Sequence, residues 1–334
     1  MAAKTRKTAI ITGACSGIGL ALTKHLLAKS DVEWRVVLAD IRPEAWEEVK
    51  SSLDANRVKF IKTDVAVWED DAHLFKEAYN WETEGFPQHR IDFFAANAGT
   101  GDKEHVLQPF DLDEEPQKPN TLCMDVNITA VLYGLKLFVH YARKTTRELA
   151  QSDSAKGAAP PQQPPFNPKM VITASCVGQY PFSIAPQYAA SKHACVGLAR
   201  SVGDPLLRHE NIAVNCIMPA FVATPIIPGR LAQMWPQEYL TPLSTMCRAY
   251  DELADVDGKV VQDGKSDGKD GVVKVGQSVE CVIDKLYYRT HVPPADESQA
   301  FLLKESGHDG LWAKAIAERM AEMTASPDSK QQYL

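Results

Sequence analysis

The chain has 334 residues, 45% of them hydrophobic, which is ample for the buried core of one large domain. A net charge of −7 without a dense basic cluster points away from nucleic acid, and no apolar run reaches the roughly eighteen residues of a membrane span. Seven cysteines without Cys-x-x-Cys spacing predict reduced thiols with neither zinc site nor disulfide frame. The basic start Lys4-Thr-Arg-Lys7 precedes too short an apolar run for a signal peptide, so a cytoplasmic, membrane-free protein without a metal is expected.

Thr8 to Thr12 is a short β-rich run. Gly13-Ala-Cys-Ser16-Gly17-Ile18-Gly19 follows, and then an amphipathic segment from Leu20 to Lys29. This is strand, glycine turn, helix: glycines let the backbone approach a pyrophosphate, and the helix N-terminus offers free N–H groups to an anion. Trp34 to Asp40 reads as a second buried strand, ending in an acid twenty-one residues after Gly19. A carboxylate there bonds ribose hydroxyls and repels a 2′-phosphate, which predicts NAD(H) over NADP(H), although Arg42 stands nearby. Val58 to Val65 is a third strand with Asp64 near its end. Trp68 to Glu84 reads as a helix, and Ile91 to Ala96 as a fourth strand running into Asn97-Ala98-Gly99.

Asn120 to Lys144 has the apolar spacing of a long helix, with Asn127 inside it. Mid-helix Asn is unfavourable by propensity and implies a hydrogen-bonding task. The stretch 151–168 breaks the pattern, with five prolines between Ala158 and Pro168, and reads as a surface insertion. Met170 to Ala174 is a buried strand that delivers Ser175. The helical stretch Ser183 to Arg208 carries Tyr188 and Lys192, four apart and therefore on one face. An ammonium beside a phenol favours phenolate, which makes Tyr188 a usable acid/base. Ile212 to Met218 is a sixth strand and leads to Pro219-Ala220-Phe221-Val222-Ala223-Thr224. Pro225 to Leu243 is mixed apolar, Leu243 to Leu253 helical, 255–270 a polar loop and Gly271 to Val275 a seventh strand. Cys281 to Val292 is a candidate edge pairing, and Asp309 to Glu322 a helix.

The pattern Thr-Gly-x-x-x-Gly-x-Gly in the first βα unit, an upstream Ser and Tyr-x-x-x-Lys occur in that order with Asp64-Val65, Asn97-Ala98-Gly99, Asn127 and Pro219 to Thr224. Together they resemble the short-chain dehydrogenase/reductase family, in its single-domain branch, from about Thr8 to Val275. The likeness implies an α/β Rossmann-type fold: a doubly wound, mostly parallel seven-stranded sheet with helices on both faces. One domain over 1–334 is expected, with a core of about 8–275, the insertion, the polar loop and an extension over 276–334. It further implies a tetrad of Asn127, Ser175, Tyr188 and Lys192, in which Asn127 bonds a water linked to Lys192. Cofactor contacts are implied at Gly13, Ser16, Gly17, Ile18, Gly19, Asp40, Ile41, Asp64, Val65, Asn97, Ala98, Gly99, Tyr188, Lys192, Pro219, Val222 and Thr224. A homodimer or homotetramer built on the helices bearing Asn127 and Tyr188 is expected from the resemblance alone.

Within the family the likeness is nearest to NAD-dependent 15-hydroxyprostaglandin dehydrogenase-like members, through the Asp40 strand end and Tyr188-Ala-Ala-Ser-Lys192-His193. Two positions depart: Ala220 replaces the usual Gly, and Ala185 stands where that enzyme has a substrate-bonding Gln. Tyr180, Phe182, Ile184, Phe221, Ile226, Ile227 and Trp235 predict an apolar, aromatic-lined pocket under a mobile lid, without an Arg or Lys to pair a carboxylate. The expected substrate is a small hydrophobic molecule, a secondary alcohol or its ketone. The rival reading is a cofactor-binding member repurposed as a non-redox cyclase or a scaffold protein.

Overall fold

Strands buried on both faces read as continuous apolar runs, and Ala9-Ile10-Ile11 or Val36-Val37-Leu38-Ala39 can be satisfied only between two layers of helices. The computed structural model, which describes residues 5–107, 112–155 and 166–325, shows that arrangement. The first half runs β1 (Thr5–Thr12), α1 (Gly17–Ala28), β2 (Val32–Asp40), α2 (Pro43–Val49), β3 (Val58–Lys62), α3 (Trp68–Tyr79) and β4 (Phe93–Ala96). The second begins with α4 (Leu122–Met124), a π-helical turn (Asp125–Thr129) and α5 (Ala130–Ala155). It continues through β5 (Lys169–Thr173), α6 (Pro186–Glu210), β6 (Ala213–Pro219), α7 (Gly229–Met234), α8 (Leu243–Ala254), β7 (Ser278–Val282) and β8 (Lys285–Arg289).

The sheet order is β3-β2-β1-β4-β5-β6-β7-β8, parallel except for β8. The chain reverses direction of travel between β1 and β4, so a crevice opens at their carboxyl ends, where open α/β sheets bind ligands. Side chains alternate between the two layers. Ile10, Val37, Phe94 and Ile172 pack with Phe75 of α3, Phe138 of α5 and Val196 of α6. Ile11, Val36, Phe93 and Val171 pack with Leu22 of α1 and Met246 and Leu253 of α8.

The seventh strand is not where the sequence pattern puts it. Val272 to Val275 lies outside the ladder, with Val272 half-exposed and the buried Lys274 ammonium donating to the carbonyls of Gly258 and Val272. Pairing with β6 resumes at Gly276, whose N–H donates to Val214 O, and β7 follows. The edge pairing expected within 281–292 is the antiparallel hairpin β7–β8, turned at Ile283 with φ of 53°, and it makes an eighth strand. Two helix ends differ by five residues or more: α3 stops at Tyr79, and α5 continues to Ala155, into the expected insertion. The proline run 160–165 lies outside the described residues.

The stretch Leu122–Ser152 is long and apolar enough to cross a membrane by length and composition, which the sequence reading did not register. Val131, Leu137, Phe138 and Ala142 within it are buried core residues packed against the sheet. The chain divides into two compact units, Met1–Arg289 and Thr290–Leu334. The second holds α9 (Glu297–Glu305), capped by Asp296 Oδ1 accepting from Gln299 N at 2.8 Å, and α10 (Leu311–Ala325). All seven cysteines are free thiols, and burial pushes those of Cys15, Cys123 and Cys216 up to about 12. No cluster of three or more His, Cys, Asp or Glu suited to a metal occurs among the described residues.

Candidate active site

The glycine turn closes the crevice floor. Gly13 and Gly17 take φ of +63° and +50°, which side-chain-bearing residues avoid, and a Cβ on Gly19 would lie 2.3 Å from the Gly13 carbonyl oxygen. Thr12 Oγ1 accepts the N–H groups of Asn97 and Ala98, both at 3.0 Å, while Asn97 Nδ2 donates to Thr12 O at 3.0 Å. These bonds tie β1 to the end of β4 at the switch point. Asn97 Oδ1 in turn accepts from Thr173 Oγ1 at 3.1 Å, which carries the tie to β5. Thr224, beyond β6, meets the turn from above: a Cβ on Gly17 would lie 3.0 Å from its Cγ2.

Asp40 is buried at the end of β2, its carboxylate accepting Cys15 N and Arg42 N, each at 3.1 Å. Each oxygen keeps a second acceptor site. The Arg42 guanidinium reaches back across the turn, donating to Ser16 Oγ at 3.1 Å, with Nε 3.6 Å from Asp40. Ile41 is exposed beside it, Ile18 packs into the α1 side of the core, and Asp64 Oδ1 turns the chain by accepting from Ala66 N, with Val65 between them. At the departure Ala220, the N–H donates to Cys281 O at 2.9 Å, so the β6–β7 ladder extends one residue past Pro219 into the turn that carries Val222.

Ser175 follows β5 and is buried; its Oγ accepts Val177 N at 3.4 Å and caps a short 3₁₀ turn, Cys176–Gly178. A Cβ on Gly178 would lie 2.7 Å from Lys192 O, so a glycine there lets this turn lie against α6. On α6 the Lys192 ammonium stands 5.5 Å from the Tyr188 ring centroid and donates to Thr173 O at 2.8 Å, almost wholly buried. Gly99 faces both Lys192 and Asn127: a Cβ on it would lie 3.5 Å from Lys192 Nζ and 3.3 Å from Asn127 Oδ1.

Asn127 occupies the π-helical turn, which resolves the conflict between its propensity and its place inside a helix. Its Oδ1 accepts Thr100 N and its Nδ2 donates to Thr100 O, both at 2.9 Å, and Nδ2 also donates to Ser191 Oγ at 3.0 Å. The structure thus brings Asn127, Ser175, Tyr188 and Lys192 onto α6 and the two segments packed against it. Sequence reading missed Thr12, Thr173, Ser191 and Asp102. Asp102 accepts Tyr188 N at 2.6 Å and Gln187 N at 3.0 Å, from a position some eighty-five residues earlier, with no spacing signal to reveal it.

Beyond β6, Phe221 and Trp235 stack at 3.9 Å between centroids, and Thr241 N donates to Phe221 O, so the segment from Phe221 to Thr241 leaves and returns at one point. Within it lie α7 and a 3₁₀ turn, with Ile226 exposed and Ile227 partly covered. Phe182 and Ile184 are exposed on the loop before α6. The Tyr180 hydroxyl is engaged elsewhere, donating at 3.3 Å to Glu280, a buried carboxylate held by Arg289 Nε at 2.6 Å.

A glycine turn at the switch point of a doubly wound sheet, faced by a Tyr and Lys on one helix, defines a Rossmann-type oxidoreductase. The family model described as short chain dehydrogenase matches residues 7–160 and 166–234, and the chain belongs to that family. It is similar to the short-chain dehydrogenase/reductase prx6 of Penicillium rubens, 29% identical over 300 residues covering 86% of each chain. It is also similar to 5'-hydroxyaverantin dehydrogenase of Dothistroma septosporum, 33% identical over 234 residues, 66% of this chain and 69% of that one. The fold matches a crystal structure of 3-ketoacyl-(acyl-carrier-protein) reductase from Brucella melitensis complexed with NADH. The TM-score is 0.60 at 18% identity, covering 83% of this chain and 96% of that one. The likeness is thus to fungal family members and does not single out the 15-hydroxyprostaglandin dehydrogenase-like group.

Proposed function

We propose that the chain is an NAD(H)-dependent oxidoreductase interconverting a hydrophobic secondary alcohol and its ketone. The observation that carries this reading is the Tyr188–Lys192 face of α6, its ammonium 5.5 Å from the phenol ring, with Ser175 on the turn packed against it. In oxidation, Tyr188 takes the hydroxyl proton, Ser175 Oγ steadies the oxygen, and Lys192, held by the Thr173 carbonyl, supplies the positive charge beside them. A bound nicotinamide supplies C4 as hydride acceptor in oxidation and as donor in reduction. The alcohol thereby loses its hydroxyl proton to Tyr188 and a hydride from its carbon, leaving the C=O of the ketone, and reduction reverses both.

The residues fit a dinucleotide. Only glycine can stand at Gly19, the N-terminus of α1 faces the crevice, and Asp40 ends the strand beside it. Gly13, Ser16, Gly17 and Ile18 would border the pyrophosphate, Asp40 and Ile41 the ribose, and Asp64 and Val65 the adenine. Asn97, Ala98, Gly99, Pro219, Val222 and Thr224 would line the nicotinamide side. Wild type should show higher kcat/KM with NAD than with NADP. Asp40→Ala should narrow that preference by roughly tenfold or more, because it removes a charged acceptor and frees Arg42 for a phosphate. Paired kcat/KM measurements test this, and a wild-type preference for NADP would assign the choice to Arg42.

The substrate class is supported by the Phe221–Trp235 stack and the apolar rim of Phe182, Ile184 and Ile226. The name of the Dothistroma relative, a dehydrogenase of a hydroxylated compound, agrees with a hydroxyl substrate. A panel of alcohols followed by NADH absorbance should show large apolar secondary alcohols turned over fastest. Trp235→Ala should raise KM for these by roughly tenfold, more than for small ones, as expected for loss of an aromatic contact surface stacked on Phe221. Faster turnover of polyols or hydroxy acids would sink the substrate reading, and NAD binding without NADH formation across the panel would favour a non-redox role.

A further inference from the structure

The geometry points to Asp102 as a positioning residue for Tyr188, an inference that rests on the acid/base reading of that tyrosine. Helix α6 has no cap of its own. Its N-cap residue is Ala185, without a side-chain acceptor, and its first residue is Pro186, without an N–H. The next two N–H groups, of Gln187 and Tyr188, are therefore the orphans of this helix end. Tyr188 thus sits in the first turn, where helices fray, yet acid/base chemistry needs its hydroxyl held in one place.

Asp102 meets that need from outside the helix. One carboxylate oxygen accepts Tyr188 N at 2.6 Å and the other accepts Gln187 N at 3.0 Å. The negative charge also stands at the positive end of the α6 dipole. The other end of the Tyr188 peptide is held too, since its carbonyl accepts Ser191 Oγ at 2.7 Å. Both holds lead to Asn127, which donates to Ser191 Oγ and grips both backbone groups of Thr100, two residues before Asp102. The backbone of Tyr188 is thus clamped at its N–H and its C=O by side chains that share one buried anchor.

The test uses the 334-residue chain with NAD and 4-phenyl-2-butanol, a large apolar secondary alcohol. Asp102→Ala should lower kcat by roughly ten- to hundredfold, the scale of a misplaced reacting group, while KM for both ligands changes less than about threefold. Asp102→Asn, which keeps one acceptor oxygen, should recover most of kcat. Amide hydrogen exchange at Gln187 and Tyr188 should quicken by about tenfold or more in Asp102→Ala and slow again in Asp102→Asn. The double variant Asp102→Ala/Tyr188→Phe should be no slower than Tyr188→Phe alone, because a residue acting through Tyr188 has nothing left to position.

Full kcat in Asp102→Ala with an inactive Tyr188→Phe would overturn this inference and leave the acid/base reading standing. So would losses that multiply in the double variant, or unchanged exchange at the two amides. An active Tyr188→Phe would overturn the acid/base reading itself.

Discussion

Tyr188→Phe is expected to lower kcat by roughly 10²- to 10⁴-fold while NAD(H) affinity stays within about twofold. The variant removes one oxygen and keeps the ring, so the Lys192 ammonium retains its aromatic neighbour and its bond to Thr173 O, and the clamp on the Tyr188 peptide is untouched. What is lost is the proposed proton acceptor alone. Steady-state kinetics paired with NADH fluorescence titration separates the two effects. Retention of more than about a tenth of wild-type kcat would remove Tyr188 from the proton-transfer step.

Asn127→Ala should produce the largest loss of stability among the substitutions considered. Asn127 is fully buried, and its amide bonds both backbone groups of Thr100 and donates to Ser191 Oγ. Truncation removes the acceptor of the partly buried Thr100 N–H, at about 1–3 kcal/mol, and takes one donor from its C=O, which keeps the Cys123 thiol, at about 1 kcal/mol more, or roughly 2–4 kcal/mol in all. A melting temperature lower by roughly 5–15 °C follows, accompanied by a lower kcat, since the Gly99–Asp102 loop loses its anchor. Thermal unfolding followed by circular dichroism measures the effect. A shift under about 2 °C would mean that water replaces the amide and that the anchor is not rigid.

Much of this was legible because the relevant signals are local. The apolar runs around Ile10, Val37, Phe94 and Val171 read as strands because each is buried on both faces. Tyr188 and Lys192 share a face because helical spacing requires it. The misplaced seventh strand shows where local signals end. Val272 to Val275 has the β-branched composition of a strand, whereas the real β7 carries Ser278 and Glu280. Glu280 is tolerated in the sheet because Arg289 on the neighbouring β8 neutralises it, a partner visible only after the hairpin forms. The π-helical turn at Asn127 and the reach of Asp102 to α6 were illegible for the same reason. Both are decided by contacts far along the chain, between residues whose own neighbourhoods look ordinary.

The strand order also sets a timetable for synthesis. By the time Ala96 has left the ribosome, the nascent chain holds β1 to β4, which can form the contiguous half-sheet β3-β2-β1-β4 with the glycine turn at its rim. The far edge of β4, Phe93-Phe94-Ala95-Ala96, finds its partner only when Lys169 to Thr173 emerges, and none of Asn127, Ser175, Tyr188 and Lys192 yet exists at the earlier moment. For that interval the growing polypeptide carries an unpaired aromatic edge, the kind of segment that recruits chaperones or pairs with the wrong chain. The glycine-turn rim is therefore made before the residues proposed to transfer the proton, and the vulnerable phase of biogenesis is the passage between them.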